Sequence, residues 1–212
     1  MSRDVAAPLE HRIRPPAGEP EGALVLLHGR GADEHDLYGL LDLIDPERRL
    51  LGITAGGPLS LPPGGRHWYV VPRVGFPDPP TFAASYDRLA ALLDTTGVPV
   101  ERTVVGGFSQ GAVMSWALAL GPDRPAPAGV IALSGFIPTV PGWTFPGRPL
   151  RAFIAHGAHD PVISVDHGRE ARDRLQEAGA DVTYRESPIG HAIDPAVLRE
   201  LPDWLSRGFT RS

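Results

Sequence analysis

Residues 103–120 constrain the fold more than any other part of the chain. Thr103, Val104 and Val105 run into Gly107-Phe108-Ser109-Gln110-Gly111, and Gln110–Leu120 (QGAVMSWALAL) runs straight out as an apolar helix ended by Gly121-Pro122. A β-branched run that becomes a helix within so few residues requires a sharp bend. Side chains flanking the central serine have little room in such a bend, hence the glycines at 107 and 111. An apolar helix of this kind packs on a sheet.

The same alternation recurs along the chain. Residues 23–28 (ALVLLH) form a near-continuous apolar run, expected of a strand buried on both faces. Residues 36–44 carry a helical pattern, residues 49–55 read as a second strand, and residues 81–94 as a helix with Thr81 as its N-cap. Residues 130–134 and 151–156 are two more apolar strands beside that at 103–107. Residues 165–178 predict an amphipathic helix closed by Gly179, residues 181–186 an edge strand, and residues 195–207 the last helix. Strands interleaved with helices predict an α/β fold with a mainly parallel central sheet and helices on both faces. The 212 residues fit a single domain, 1–212, in which the polar, Pro-rich residues 1–20 form an extended or edge segment.

Two stretches break the rhythm. Residues 56–80 and 135–149 are rich in Pro and Gly yet carry Trp68, Tyr69, Phe76, Phe136, Trp143 and Phe145. Such rings either fill satellite cores beneath the loops or line a substrate site. Trp68, Tyr69, Phe136, Ile137 and Val162 are the candidate substrate contacts.

Composition removes several chemistries. There are no cysteines, so a disulfide framework, a thiolate nucleophile and Cys-ligated zinc are excluded. All 20 basic residues are arginine, which excludes a Schiff-base lysine and a phosphate-loop lysine. A net charge of −5 without a basic stripe argues against nucleic acid. The first 20 residues lack a secretory apolar core, and no apolar run approaches the length that spans a bilayer. The expectation is a cytoplasmic protein with no integral membrane association. A homodimer is compatible with the sequence.

The segment 107–111 matches G-x-S-x-G in the strand–turn–helix setting that a nucleophile elbow requires. The turn lifts Ser109 above the sheet and aims the helix N-terminus, with the Gln110 N–H, at the same point. Serine needs a base, and in this chain order an acid and then a histidine follow. Asp160 lies in His159-Asp160-Pro161 after the strand at 151–156, and His191 lies after the strand at 181–186. Both are therefore at the sheet edge where α/β proteins bind ligands. The roles follow: His191 takes the serine proton and Asp160 fixes the imidazole tautomer. A second oxyanion donor is expected from His28-Gly29-Arg30-Gly31-Ala32-Asp33, most directly the Arg30 N–H, with Gly31 or Ala32 as alternatives. The Arg30 guanidinium is read as incidental rather than as selecting acidic substrates. His156 and His159 beside Asp160 have the wrong spacing for a zinc helix, and no metal is expected. His28 is read as a loop brace.

HGRGAD, GFSQGA, LSGFIP, HGAHDPVI and GHAI occur in an order that resembles the carboxylesterase/phospholipase family of α/β-hydrolases, which includes acyl-protein thioesterases and small bacterial esterases. The similarity covers roughly residues 22–208, and Arg66-His67-Trp68-Tyr69 resembles a tryptophan–aromatic pair in that family's long loop. The resemblance implies an α/β-hydrolase core without a large cap, no cofactor, and cleavage of esters or thioesters of short- to medium-chain acyl groups. It also places Ser109, Asp160 and His191 on the triad and Arg30 and Gln110 on the oxyanion positions. The same fold also serves peptidases and lactone hydrolases, and non-catalytic relatives act as binding modules.

Overall fold

The computed structural model describes residues 8–121, 124–143 and 150–209. Pro122 and Phe145 lie outside them. Seven strands form one sheet: β1 (His11–Arg14), β2 (Ala23–Leu27), β3 (Leu51–Ala55), β6 (Thr103–Phe108), β7 (Gly129–Leu133), β8 (Arg151–Gly157) and β9 (Asp181–Ser187). A two-stranded ribbon, β4 (Leu59–Ser60) with β5 (Arg66–His67), lies outside it. The sheet order is β1-β3-β2-β6-β7-β8-β9, and every pair is parallel except β1 with β3.

The helices are α1 (Leu40–Ile44), α2 (Pro79–Thr95), α3 (Gln110–Leu120), α4 (Val165–Glu177), α5 (Pro195–Leu198) and α6 (Leu201–Arg207). Alternation along the central strands divides the core in two. Val25, Leu27, Val105, Val130 and Ile154 face α2, α3 and α4. Leu24, Leu26, Val104, Ile131 and Phe153 face α1, α5 and α6. Fully burying a Val or Leu contributes about 1.5–3 kcal/mol, so packing on both faces fixes the strand ends that carry the site. The chain adopts an α/β-hydrolase fold, with no large cap among the described residues.

Several local expectations need correction. The N-cap of α2 is Asp78, whose side chain accepts from the Thr81 N–H; Pro79 and Pro80 open the helix, and Thr81 lies within it. Proline suits the first helical positions because its missing N–H has no partner there in any case. The expected last helix is two, α5 and α6, since Pro202 stands at the start of the second and its ring excludes an unbroken helix through Leu198. At residues 36–44 only Leu40–Ile44 is helical, behind a run of turns.

β1 is anchored through Arg14, which is 2 % exposed. Its guanidinium donates to Asp45 Oδ2 at 2.5 Å, to the Leu41 carbonyl at 2.8 Å and to the Leu50 carbonyl at 2.8 Å. These acceptors satisfy most of a charge that would be costly to bury alone.

Candidate active site

The chain runs from β2 to β3 on one side of the sheet and then crosses to β6 on the other side of β2. Such a reversal opens a crevice at the C-terminal ends of the two inner strands. Leu27 pairs with Gly107 in that register, so the loop after β2 and the turn after β6 leave the sheet side by side.

Ser109 occupies the turn between β6 and α3 with φ 54° and ψ −118°, a backbone state that non-glycine residues rarely adopt. Packing enforces it. A Cβ on Gly111 would sit 1.9 Å from the Leu27 carbonyl oxygen, and one on Gly107 would sit 2.5 Å from the Gly111 backbone. The Ser109 N–H is tied to the Leu133 carbonyl of β7 at 2.9 Å.

Asp160 and His191 come from the ends of β8 and β9. The two loops are bonded to each other: Ala158 N–H to Ser187 O at 2.7 Å and His159 N–H to Ile189 O at 3.0 Å. His191 Nδ1 lies 2.6 Å from Asp160 Oδ2, and its Nε2 lies 3.0 Å from Ser109 Oγ. An ionised carboxylate only accepts, so Nδ1 carries the proton and Nε2 accepts from the serine hydroxyl. Phe108 packs on the imidazole with ring centroids 4.8 Å apart.

Burial alone would push the Asp160 carboxyl up. The hydrogen bond from His191 and the N–H groups of Ile163 (2.9 Å) and Val162 (2.8 Å) outweigh it and hold the group below the usual carboxylate range. His156 Nε2–H donates to the Ile163 carbonyl at 2.8 Å and lies 3.5 Å from Asp160 Oδ2. Burial lowers the pKa of His156. Sequence reasoning placed His156 at a strand end without seeing this support behind the acid.

In the loop after β2, the Gly31 N–H donates to Arg66 O at 2.8 Å and the Ala32 N–H to Gly29 O at 3.3 Å. Both alternatives to Arg30 are thereby occupied. A Cβ built on Gly29 would lie 3.5 Å from Ser109 Cβ, which sets how near this loop comes to the serine. Gln110 opens α3, so its N–H has no intrahelical acceptor. The Gln110 side chain reaches the loop after β5, where Oε1 accepts from Trp68 N–H at 3.0 Å and Nε2 donates to Tyr69 O at 2.9 Å.

His28 braces the same region. Its Nε2 accepts from the Gly57 N–H at 2.9 Å, which leaves Nδ1–H to donate to Gly29 O at 2.6 Å. Burial lowers its pKa.

A cavity of about 110 Å³ opens on Ser109. Tyr69, Phe136 and Val162 line it, as does Phe76. Trp68 and Ile137 do not. Trp68 is fully buried, with its Nε1–H on the His28 carbonyl at 2.9 Å, and Ile137 packs in the core. Trp143 likewise packs between Phe82 and Tyr86. Sequence reasoning missed Arg73, Val74 and Gly75, which also line the cavity; the Pro- and Gly-rich composition of residues 56–80 marked the loop but not which of its residues face Ser109. Among the described residues no group of three or more His, Asp or Glu side chains could hold a metal ion, and no helix is long and apolar enough to cross a membrane.

The chain is 27% identical to acyl-protein thioesterase 1 of Debaryomyces hansenii, across 92% of this chain and 94% of that protein. It is 37% identical to acyl-protein thioesterase 1 of Mycosarcoma maydis over a shorter alignment, which spans 58% of this chain and 55% of that protein. In three dimensions it resembles the Bacillus cereus carboxylesterase with a TM-score of 0.83 at 23% identity, covering 96% of each chain. Esterase PE8 superposes with a TM-score of 0.82 at 24% identity, covering 95% of this chain and 99% of that one. The family model described as Phospholipase/Carboxylesterase matches residues 9–207, and the chain belongs to that family.

Proposed function

We infer that this protein is a serine hydrolase that cleaves carboxylic esters or thioesters of short- to medium-chain acyl groups through an acyl-enzyme. The observation that carries this reading is the unbroken relay from Ser109 Oγ through His191 to Asp160. Family membership and the thioesterase and carboxylesterase names of the relatives agree with it.

The steps follow from the geometry. His191 Nε2 accepts the proton as Ser109 Oγ attacks the acyl carbon. The imidazolium that forms is held by the Asp160 carboxylate, which is 0 % exposed and so acts with little screening by water. Negative charge developing on the carbonyl oxygen is met by the Arg30 and Gln110 N–H groups. His191 then protonates the departing alkoxide or thiolate. Water, deprotonated by the same nitrogen, releases the acid and restores the serine. No cofactor enters these steps.

Ser109→Ala should abolish turnover of p-nitrophenyl butyrate and labelling by a fluorophosphonate while leaving the thermal transition in place. Turnover retained in that variant overturns the assignment. A wild-type chain that fails to label points instead to a non-catalytic binding module.

A further inference from the structure

We propose that the preferred substrates carry an anionic group a short distance from the reacting carbonyl, received by Arg73 and Arg30. The inference rests on the serine hydrolase reading and narrows its substrate class. The residues that line the cavity beside Ser109 include two cations, Arg30 and Arg73, and no carboxylate. This occurs in a chain whose acids outnumber its bases, 25 to 20. Among the described residues neither guanidinium makes a hydrogen bond or ion pair, whereas Arg14, Arg49, Arg169 and Arg185 are each paired with an acid.

Arg73 is also held in place for such a role. Its guanidinium carbon lies 3.7 Å from the centroid of the Phe76 ring. The two residues bracket a turn closed by Phe76 N–H to Arg73 O at 3.0 Å, with Gly75 at φ +82°. Thr139 Oγ fixes the turn by donating to the Gly75 carbonyl at 2.7 Å, and Asp78 N–H ties its far side to Val70 O at 3.0 Å. A guanidinium stacked on a ring keeps its N–H edge free for a planar carboxylate, and ordering it beforehand lowers the entropic cost of binding. The walls around it are Val71, Val74, Phe136, Val162 and Ile163. Arg30 and Arg73 are themselves exposed, so a charge pair formed there is open to screening by water and salt. A short apolar spacer ending in a carboxylate matches both surfaces.

The anion belongs either to the acyl group or to the leaving group, and paired esters separate these. The acyl pair is p-nitrophenyl hemisuccinate with p-nitrophenyl butyrate. The leaving-group pair is 4-carboxyphenyl acetate with its methyl ester. For the pair that carries the preference, Arg73→Gln should lower the anionic-to-neutral ratio of kcat/KM about tenfold and Arg30→Gln about threefold, with Arg73→Lys between them. Added salt should erode the wild-type ratio. Arg124→Gln, the same charge change beyond the opposite end of α3, should leave it alone. Neutral esters cleaved with ratios that Arg73→Gln does not move, in both pairs, would overturn the inference and spare the hydrolase assignment. Absence of turnover and of fluorophosphonate labelling in the wild type would remove both.

Discussion

The two walls of the cavity are built on opposite rules. On the wall formed by β6 and α3, Ser109 is held in a rare backbone state by carbonyls of neighbouring strands, and each residue of α3 is buried. On the other wall, the loop after β5 exposes Val74 and Phe76 by 46 % and 51 % and closes its bend through one glycine and a threonine hydrogen bond. The first wall tolerates no extra atom, while the second has solvent beside it. A reacting hydroxyl needs placement to a fraction of an ångström, whereas selection among substrates needs surface that can change without unfolding the scaffold.

The largest effect is expected from Asp160→Asn, in the loop after β8 that holds His191 against the rigid wall. The asparagine Oδ1 can keep the N–H groups of Val162 and Ile163, so the loop should stay folded. Its NH₂ would face His191 Nδ1 and favour the tautomer with the proton on Nε2, which cannot accept from Ser109. A fall in kcat of about 10⁴ with a cooperative thermal transition retained is expected. A kcat within tenfold of wild type would mean that the relay is not the working base.

One substitution made on both walls tests the contrast itself. Gly111→Ala places a methyl against the Leu27 carbonyl, backbone that cannot step aside, and should cost about 3 kcal/mol or more. Gly75→Ala meets nothing nearer than the His167 ring at 3.9 Å, so its cost is limited to a left-handed φ, about 1–2 kcal/mol. Thermal denaturation of the two variants should rank them in that order. Equal losses would dissolve the distinction between the walls.

The same contrast explains what could be read from the chain. Gln110–Leu120 matches its expected span residue for residue, because an apolar helix pinned between an elbow and a glycine has no freedom at either end. The meeting of Ser109, Asp160 and His191 was legible because each follows a strand that local pattern marks: β6 and β8 as near-continuous apolar runs and β9 as an alternating edge strand. The mouth was not. Trp68 and Tyr69 are adjacent, yet one packs on His28 and the other lines the cavity. That parity is set by Gln110 gripping the backbone of both residues from across the site, a tertiary fact that no local pattern carries. The β4–β5 ribbon escaped notice because each strand is only two residues long. Arg73 acquires meaning only beside Ser109 in space.

The smallest expected effect concerns the His28 brace. Its Nε2 accepts from Gly57, between β3 and β4, and its Nδ1–H holds Gly29, in the loop after β2. A proton on Nε2 would set two donors against each other, and burial already keeps the group below its ordinary pKa of 6.5. The unfolded chain therefore takes up a proton below pH 6.5 that the folded chain refuses. Stability from this group is fully present above 6.5 and is lost as pH falls from there towards the folded value. His156, also lowered by burial, adds in the same direction. One such group changes stability by at most about 1.4 kcal/mol per pH unit. His28→Gln keeps an acceptor for Gly57 but does not titrate. It should melt below wild type at pH 7.5, and the gap should narrow at pH 5.5 because only the wild type loses ground on acidification. A gap that widens instead would mean that the imidazole is charged in the fold, and the brace would have to be redrawn with Nε2 as a donor.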